Sequence, residues 1–231
     1  MEYLPHGLQL DIPKGCFPLT TDSMVLAHFA GDLGTQSVLD LGSGCGTLGL
    51  LLCARSRYCR VTGVELDEAA HHAAGENIRR NALDQRMESI CADLRRVPGL
   101  FAPGHFECCI SNPPYFSGGP AAGIPQARRE DACTLAELMK AAAWALKFGG
   151  DFFLVHRPER LGQIIALGAE NKLEAKQLTL VRHREDGPIA LVLLKLRKGA
   201  KPGLSMEEWS LHHPDGSPTS IYQEIYHIRE D

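Results

Sequence analysis

The sequence has no C-x-x-C pair, although it holds eight cysteines: Cys16, Cys45, Cys53, Cys59, Cys91, Cys108, Cys109 and Cys133. A zinc site of the usual kind needs paired ligand spacing, so no metal is expected. Most of these cysteines sit inside apolar runs and read as small buried thiols in a reducing cytosol. Long apolar runs are missing too. Stretches such as 48–54 fall far short of the roughly 20 residues that span a bilayer, so no membrane association is expected. The start of the chain, MEYLPHGLQLD, has no basic n-region and no apolar h-region, so no secretory signal is expected. There is no internal repeat and no low-complexity tract. An excess of positive charge is also lacking: the net charge is −4, which excludes a generic polyanion binder.

What is present is ordinary globular composition. The 231 residues are 44% hydrophobic and 23% charged, enough for one domain with its own core. The charge is unevenly spread. Residues 157–202 carry ten basic and five acidic side chains, whereas residues 203–231 carry one and six. The basic stretch can form a local patch for nucleic acid, or a solvated face.

Hydrophobic patterning predicts strands at 36–41, 60–65, 87–92, 106–111 and 151–156. Helices are predicted at 47–55, at 67–82 with Asp67 as its cap, at 131–147 and at 158–171. Gly149 and Gly150 read as the C-cap of the third of these, and Pro158 as an early position of the fourth. Two further strand-like runs, 174–182 and 189–197, flank the turn signal Glu185-Asp186-Gly187-Pro188. Strands alternating with helices and then a hairpin predict an α/β, doubly wound, mostly parallel sheet with an antiparallel edge hairpin. Residues 117–127, rich in Gly, Pro and Ala, read as a mobile loop.

A glycine-rich turn, Asp40-Leu41-Gly42-Ser43-Gly44-Cys45-Gly46, lies between the first strand and its helix. Glycines there let the backbone approach a ligand closely. Glu65 ends the second strand, 25 positions after Asp40, where a carboxylate can accept from both hydroxyls of a ribose. Asp93 follows the third strand, where it suits the adenine of a nucleoside. The dinucleotide fingerprint would put its third glycine at position 47, but that residue is Thr47. The G-x-G-x-G form suits a cofactor without a pyrophosphate better.

Asn112-Pro113-Pro114-Tyr115 follows the fourth strand, at the end of the sheet where ligands bind. The prolines fix the backbone and remove two donors, so the carbonyls of Asn112 and Pro113 stay free as acceptors. Asn112 adds a side-chain oxygen, and Tyr115 a flat face. These parts suit the holding of a planar NH₂ group. Two acceptors on its N–H bonds stabilise the positive charge that develops when such a nitrogen attacks. As a bare tetrapeptide the same residues make a rigid turn.

The turn, the two acids and the tetrad resemble the class I S-adenosylmethionine-dependent methyltransferases. More narrowly, the chain resembles the bacterial tRNA(Val) adenine-37 N6-methyltransferases. That likeness rests on Thr21-Asp22-Ser23, on Ser111 to Phe116, on Ala127-Arg128-Arg129-Glu130, on Val155 to Leu161 and on the tail Lys198-Gly199 with Pro202-Gly203-Leu204. It implies a Rossmann-like, seven-stranded sheet in a single domain, with a cofactor-covering segment at 1–35 and a C-terminal extension at 198–231. It implies that Asp40, Gly42, Gly44 and Gly46 surround the methionine part of S-adenosylmethionine, with Glu65 on the ribose and Asp93 on the adenine amine. Asn112, Pro113 and Tyr115 would hold the target base of a tRNA, with Arg128, Arg129 and the basic stretch contacting RNA in the cytoplasm. Thr21 and Asp22 would lie near the cofactor, or would cap a helix over 24–30. His156 and Arg157 are substrate contacts or the polar end of a strand. Two other functions fit the same motifs. One is methylation of a protein glutamine amide, also a planar conjugated NH₂, although relatives of that kind carry a helical domain where only 39 residues precede Asp40. The other is an idle cofactor-binding module.

Overall fold

Alternating apolar residues bury both faces of a central eight-stranded sheet in the structure, a computed structural model that describes residues 1–4, 7–113 and 133–226. Two short strands, β1 (Glu2–Tyr3) and β2 (Gln9–Leu10), pair with each other. The large sheet is built from β3 (Ser37–Leu41), β4 (Arg60–Glu65), β5 (Met87–Cys91), β6 (Phe106–Ser111), β7 (Leu146–His156), β8 (Leu173–Arg184), β9 (Ile189–Lys198) and β10 (Ser205–His212). Its order is β10-β8-β9-β7-β6-β3-β4-β5. Every pairing is parallel except the two made by β9.

Along β7, Phe153 and Val155 join one core while Phe152 and Leu154 join the other. Along β9, Leu191 and Leu193 alternate with Val192, Leu194 and Leu196 in the same way. A strand covered on both faces reads as a continuous apolar run, which is why these segments show no polar side. The first core is closed by α1 (Thr21–Ala30), α2 (Thr47–Arg55), α3 (Glu68–Arg80) and α7 (Ser220–Tyr226). The second is closed by α4 (Val97–Leu100), α5 (Leu135–Ala145) and α6 (Leu161–Glu170). Phe152 has no solvent exposure, so its truncation to alanine costs about 3–5 kcal/mol.

The doubly wound α/β class is as expected, with three differences of detail. The sheet has eight strands instead of seven, because β10 adds parallel to β8, from Ser205 beside Gln177 to His212 beside Arg184. The hairpin of β8 and β9 is therefore interior, not an edge. The polar, exposed start of β10 carries no alternation that a sequence reading can detect; its acids are matched instead by Gln177 and Thr179, which both donate to Glu207 at 2.9 Å. The third difference is at α5. It is capped by a Thr134–Glu137 capping box, and its C-cap is Leu146. Gly149 and Gly150 lie within β7, where that strand shifts register against β6, and do not cap the helix.

The amino-terminal segment is pinned to α3 by two asparagine amides. Asn81 exchanges bonds with Gln9, at 2.8 and 2.7 Å. Asn77, fully buried, accepts from the Asp11 amide at 2.8 Å and donates to the carbonyls of Asp11 and Cys45 at 2.9 and 3.0 Å. No helix among the described residues is long and apolar enough to cross a membrane. All eight cysteines are free thiols, five of them buried. The described residues hold no cluster of three His, Cys, Asp or Glu side chains able to bind a metal.

Candidate active site

Parallel pairing brings Asp40, Glu65 and Asn112 to the carboxyl ends of three adjacent strands. Asp40 of β3 sits opposite Gly63 of β4 and Ile110 of β6. Strands about 4.8 Å apart thus gather the three residues at the carboxyl end of the sheet, where doubly wound folds form their ligand crevice. The turn after β3 is stapled to β4, because Val64 accepts from the amides of Gly42 and Ser43 at 2.9 and 3.2 Å. Gly42, Gly44 and Gly46 all take left-handed φ values, +77°, +54° and +83°, which side chains resist. A Cβ on Gly46 would also stand 2.9 Å from the Met87 Cε.

Glu65 is held at both oxygens. Its Oε2 accepts from the Gly44 amide at 2.7 Å and its Oε1 from the Asp67 amide at 2.8 Å. Each oxygen keeps a second lone pair for a ligand. Asp40 is different. It has no solvent exposure, and neither carboxylate oxygen has a hydrogen-bond partner. Burial, and after it the nearby charge of Glu65, pushes its pKa up to about 8. Asp93 caps the short turn after β5 through the Arg95 amide at 2.9 Å, and its carboxylate is paired with the Arg95 guanidinium. That pairing holds Asp93 below the usual carboxylate range.

Asn112 follows β6 directly. The Ser111 hydroxyl donates to the Leu41 carbonyl at 2.7 Å, which ties the ends of β6 and β3 together. The Asn112 Nδ2 donates to the Ser23 Oγ at 3.0 Å, and its Oδ1 is buried without a partner. Pro113 is buried beside it. Tyr115, like Arg128, Arg129 and the segment 117–127, lies outside the described residues. Thr21 and Asp22 are in the first turn of α1, whose N-cap is Thr20 and has no side-chain capping bond. They do not cap a helix over 24–30. The Tyr226 hydroxyl lies 3.4 Å from Thr21 Oγ1. Ser23 escaped the sequence reading as an individual contact, because nothing in its spacing ties it to a residue 89 positions away.

Among the described residues, buried side-chain oxygens without a partner occur at Thr20, Asp40, Ser43 and Asn112. Buried polar atoms are nearly always paired. Asp40 and Asn112 lie at the same end of neighbouring strands, so their unpartnered oxygens mark the seat of a ligand rich in donors. S-adenosylmethionine fits, since its methionine ammonium and ribose hydroxyls are donors. His156, at the end of β7, is almost wholly buried. Its Nδ1 accepts from the Arg157 amide at 2.8 Å, and burial lowers its pKa to about 4.

The basic stretch does not form one patch beside this crevice. β9 runs against β7, with Asp151 opposite Arg197 and Val192 opposite His156. Lys195, Arg197 and Lys198 therefore lie toward the opposite end of the sheet, and the five residues from His156 back to Asp151 span about 17 Å. Lys195 and Arg197 pair with Asp151 at 3.0 and 2.7 Å, and Lys198 donates to the Leu146 carbonyl at 2.7 Å. Arg182 and Arg184 do end β8 on the crevice side, but pair with Glu208 and Asp186. This antiparallel register splits the basic stretch between the two ends of the sheet.

A model of the methyltransferase small domain matches residues 20–167. A tRNA1(Val) (adenine(37)-N6)-methyltransferase from Tolumonas auensis is 32% identical over 203 residues, covering 86% of this chain and 83% of that one. A protein of the same name from Bacteroides thetaiotaomicron is 32% identical over 175 residues, or 73% and 72% of the two chains. Among solved structures, a predicted O-methyltransferase from Agrobacterium tumefaciens superposes with a TM-score of 0.76 at 23% identity, covering 90% of this chain and 96% of the other. The geranyl diphosphate C-methyltransferase of Streptomyces coelicolor, in complex with S-adenosyl-L-homocysteine, gives 0.57 at 16% identity over 76% of each. At such identities these two show a shared fold. The family match and the curated relatives go further: the chain belongs to the methyltransferase small domain family.

Proposed function

We propose that this methyltransferase uses S-adenosylmethionine to methylate the N6 nitrogen of an adenine in tRNA, at an unpaired base of the anticodon loop. The observation that carries the reading is the buried, unpartnered Oδ1 of Asn112 beside the strand that bears Asp40. An acceptor in that place takes an N–H of a planar amine. The curated relatives named as tRNA1(Val) (adenine(37)-N6)-methyltransferases support adenine and tRNA as the substrate.

S-adenosylmethionine supplies an electrophilic methyl group carried on a sulfonium. Gly42, Gly44, Gly46 and Asp40 would hold its methionine part, Glu65 its ribose and Asp93 its adenine, with Thr21 close by. Asp93 reaches that role only by sharing its carboxylate with Arg95. Asn112 and the Pro113 carbonyl accept from the target amine, and Tyr115 stacks on the base. Their work is to stabilise the positive charge that grows on the attacking nitrogen, and to align it. No strong general base is needed, because that nitrogen becomes acidic only after attack. An anticodon-loop base is already unpaired, so turning it outward costs little. One domain suffices, with residues 1–35 covering the cofactor and the reaction taking place in the cytoplasm.

The test is incubation with methyl-labelled cofactor and separated tRNA and protein fractions, followed by nucleoside and amino-acid analysis. Label in N6-methyladenosine from tRNA is expected. Label in protein glutamine instead would replace the reading, and label in neither would leave an idle binding module.

A further inference from the structure

We infer that Ser23 is a positioning residue for Asn112: it holds the amide with Nδ2 engaged and so leaves Oδ1 as the group that accepts an N–H of the target amine. The inference rests on the reading of Asn112 as the acceptor for the target amine. An asparagine amide has two ends of similar shape and opposite hydrogen-bonding character. With Nδ2 spent on the Ser23 Oγ at 3.0 Å, the carbonyl oxygen is left as the buried group without a partner. Turned the other way, the amide would present N–H donors to an incoming NH₂ group and repel it.

Ser23 is placed to do this rigidly. It is itself 5% exposed and lies in the first turn of α1. That helix is braced from the far end of the sequence. The Tyr226 hydroxyl meets Thr21 Oγ1 at 3.4 Å, Trp209 packs edge-on against His28 and Phe29, and Arg55 of α2 donates to the Ile225 carbonyl at 2.9 Å. The backbone of Asn112 is fixed separately, through Ser111 and Leu41. Two independently held elements thus meet at one hydrogen bond, which sets the amide without touching substrate. Groups held this way contribute to rate by geometry, not by binding.

The experiment compares Ser23→Ala, Asn112→Ala and the double variant in single-turnover methylation of unmodified tRNA, with cofactor affinity measured by titration. Ser23→Ala is expected to lower the rate about tenfold while the dissociation constants for cofactor and tRNA stay within about twofold. Asn112→Ala is expected to lower it by roughly 10²–10³. The double variant should match Asn112→Ala within about twofold, because the two residues act as a unit. Ser23→Cys, which keeps the side-chain shape but weakens the acceptor, is measured alongside and should show the same split between rate and affinity. A wild-type rate in either Ser23 variant, a further tenfold loss in the double variant, or a loss of cofactor affinity in step with rate would each overturn the inference. A wild-type rate for Asn112→Ala would overturn the reading beneath it.

Discussion

Asp40 and Glu65 stand near the ends of adjacent parallel strands, and the charge of Glu65 acts on a carboxyl group that has neither solvent exposure nor a hydrogen-bond partner in the protein. Unfolded, Asp40 titrates near 4. Folded, its pKa is about 8. Between those values the folded state binds one more proton than the unfolded state, so the stability of the free protein falls as pH rises through that window. Asp40→Asn removes the titration. Its thermal midpoint should change less between pH 5 and 8, and its affinity for S-adenosylmethionine should drop. Equal pH slopes in the two proteins would show that Asp40 is not buried uncompensated.

Glu65 is fixed by two backbone amides and still has lone pairs to offer. Glu65→Ala should weaken S-adenosylmethionine binding by about 1.5–3 kcal/mol, through loss of charge-assisted bonds to the ribose. Calorimetric titration measures it directly. Unchanged affinity, or binding of NADH by the wild type, would contradict the assignment.

The doubly wound, mostly parallel sheet and most of its elements were legible in the sequence, for reasons that differ from residue to residue. α3 shows its buried face as Ala70, Ala73, Ala74, Asn77 and Ile78 at helical spacing, and the Asp67 side chain accepts from the Ala70 amide at 2.9 Å as a cap should. Asp40, Glu65 and Asn112 announce themselves because each ends a strand at a turn. The partner of Asn112 could not be read. Ser23 acts across a tertiary contact, and a serine in the first turn of a helix looks the same with or without one. Long-range charge pairing was equally hidden. Lys195 and Arg197 look like a free basic stretch until the antiparallel register sets them against Asp151.

That register changes what charge removal should do. Replacing Lys195 and Arg197 with alanine should leave the salt dependence of tRNA binding unaltered, because these groups neutralise Asp151 away from the crevice. Stability should fall instead, by about 1 kcal/mol, seen as a thermal midpoint lower by roughly 2–4 °C. A salt slope flattened by one to two units would mean that they contact phosphates after all.

Asn77 ties the amino-terminal segment to the turn that carries Cys45. Asn77→Ala leaves the Asp11 amide and the Cys45 carbonyl without their partner, at a cost of about 2–3 kcal/mol. Amide exchange at residues 9–11 should quicken more than at β3 or β7. Uniform quickening across the chain would show global destabilisation, with no local release of the segment.

The most direct measurement of the central claim is where a labelled methyl group goes. After reaction of the wild type with total tRNA and methyl-labelled S-adenosylmethionine, digestion to nucleosides should return the label in N6-methyladenosine, and Asn112→Ala should lower its rate of appearance by roughly 10²–10³ while still binding the cofactor. Label in any other nucleoside, or in protein glutamine with tRNA left untouched, would contradict the account.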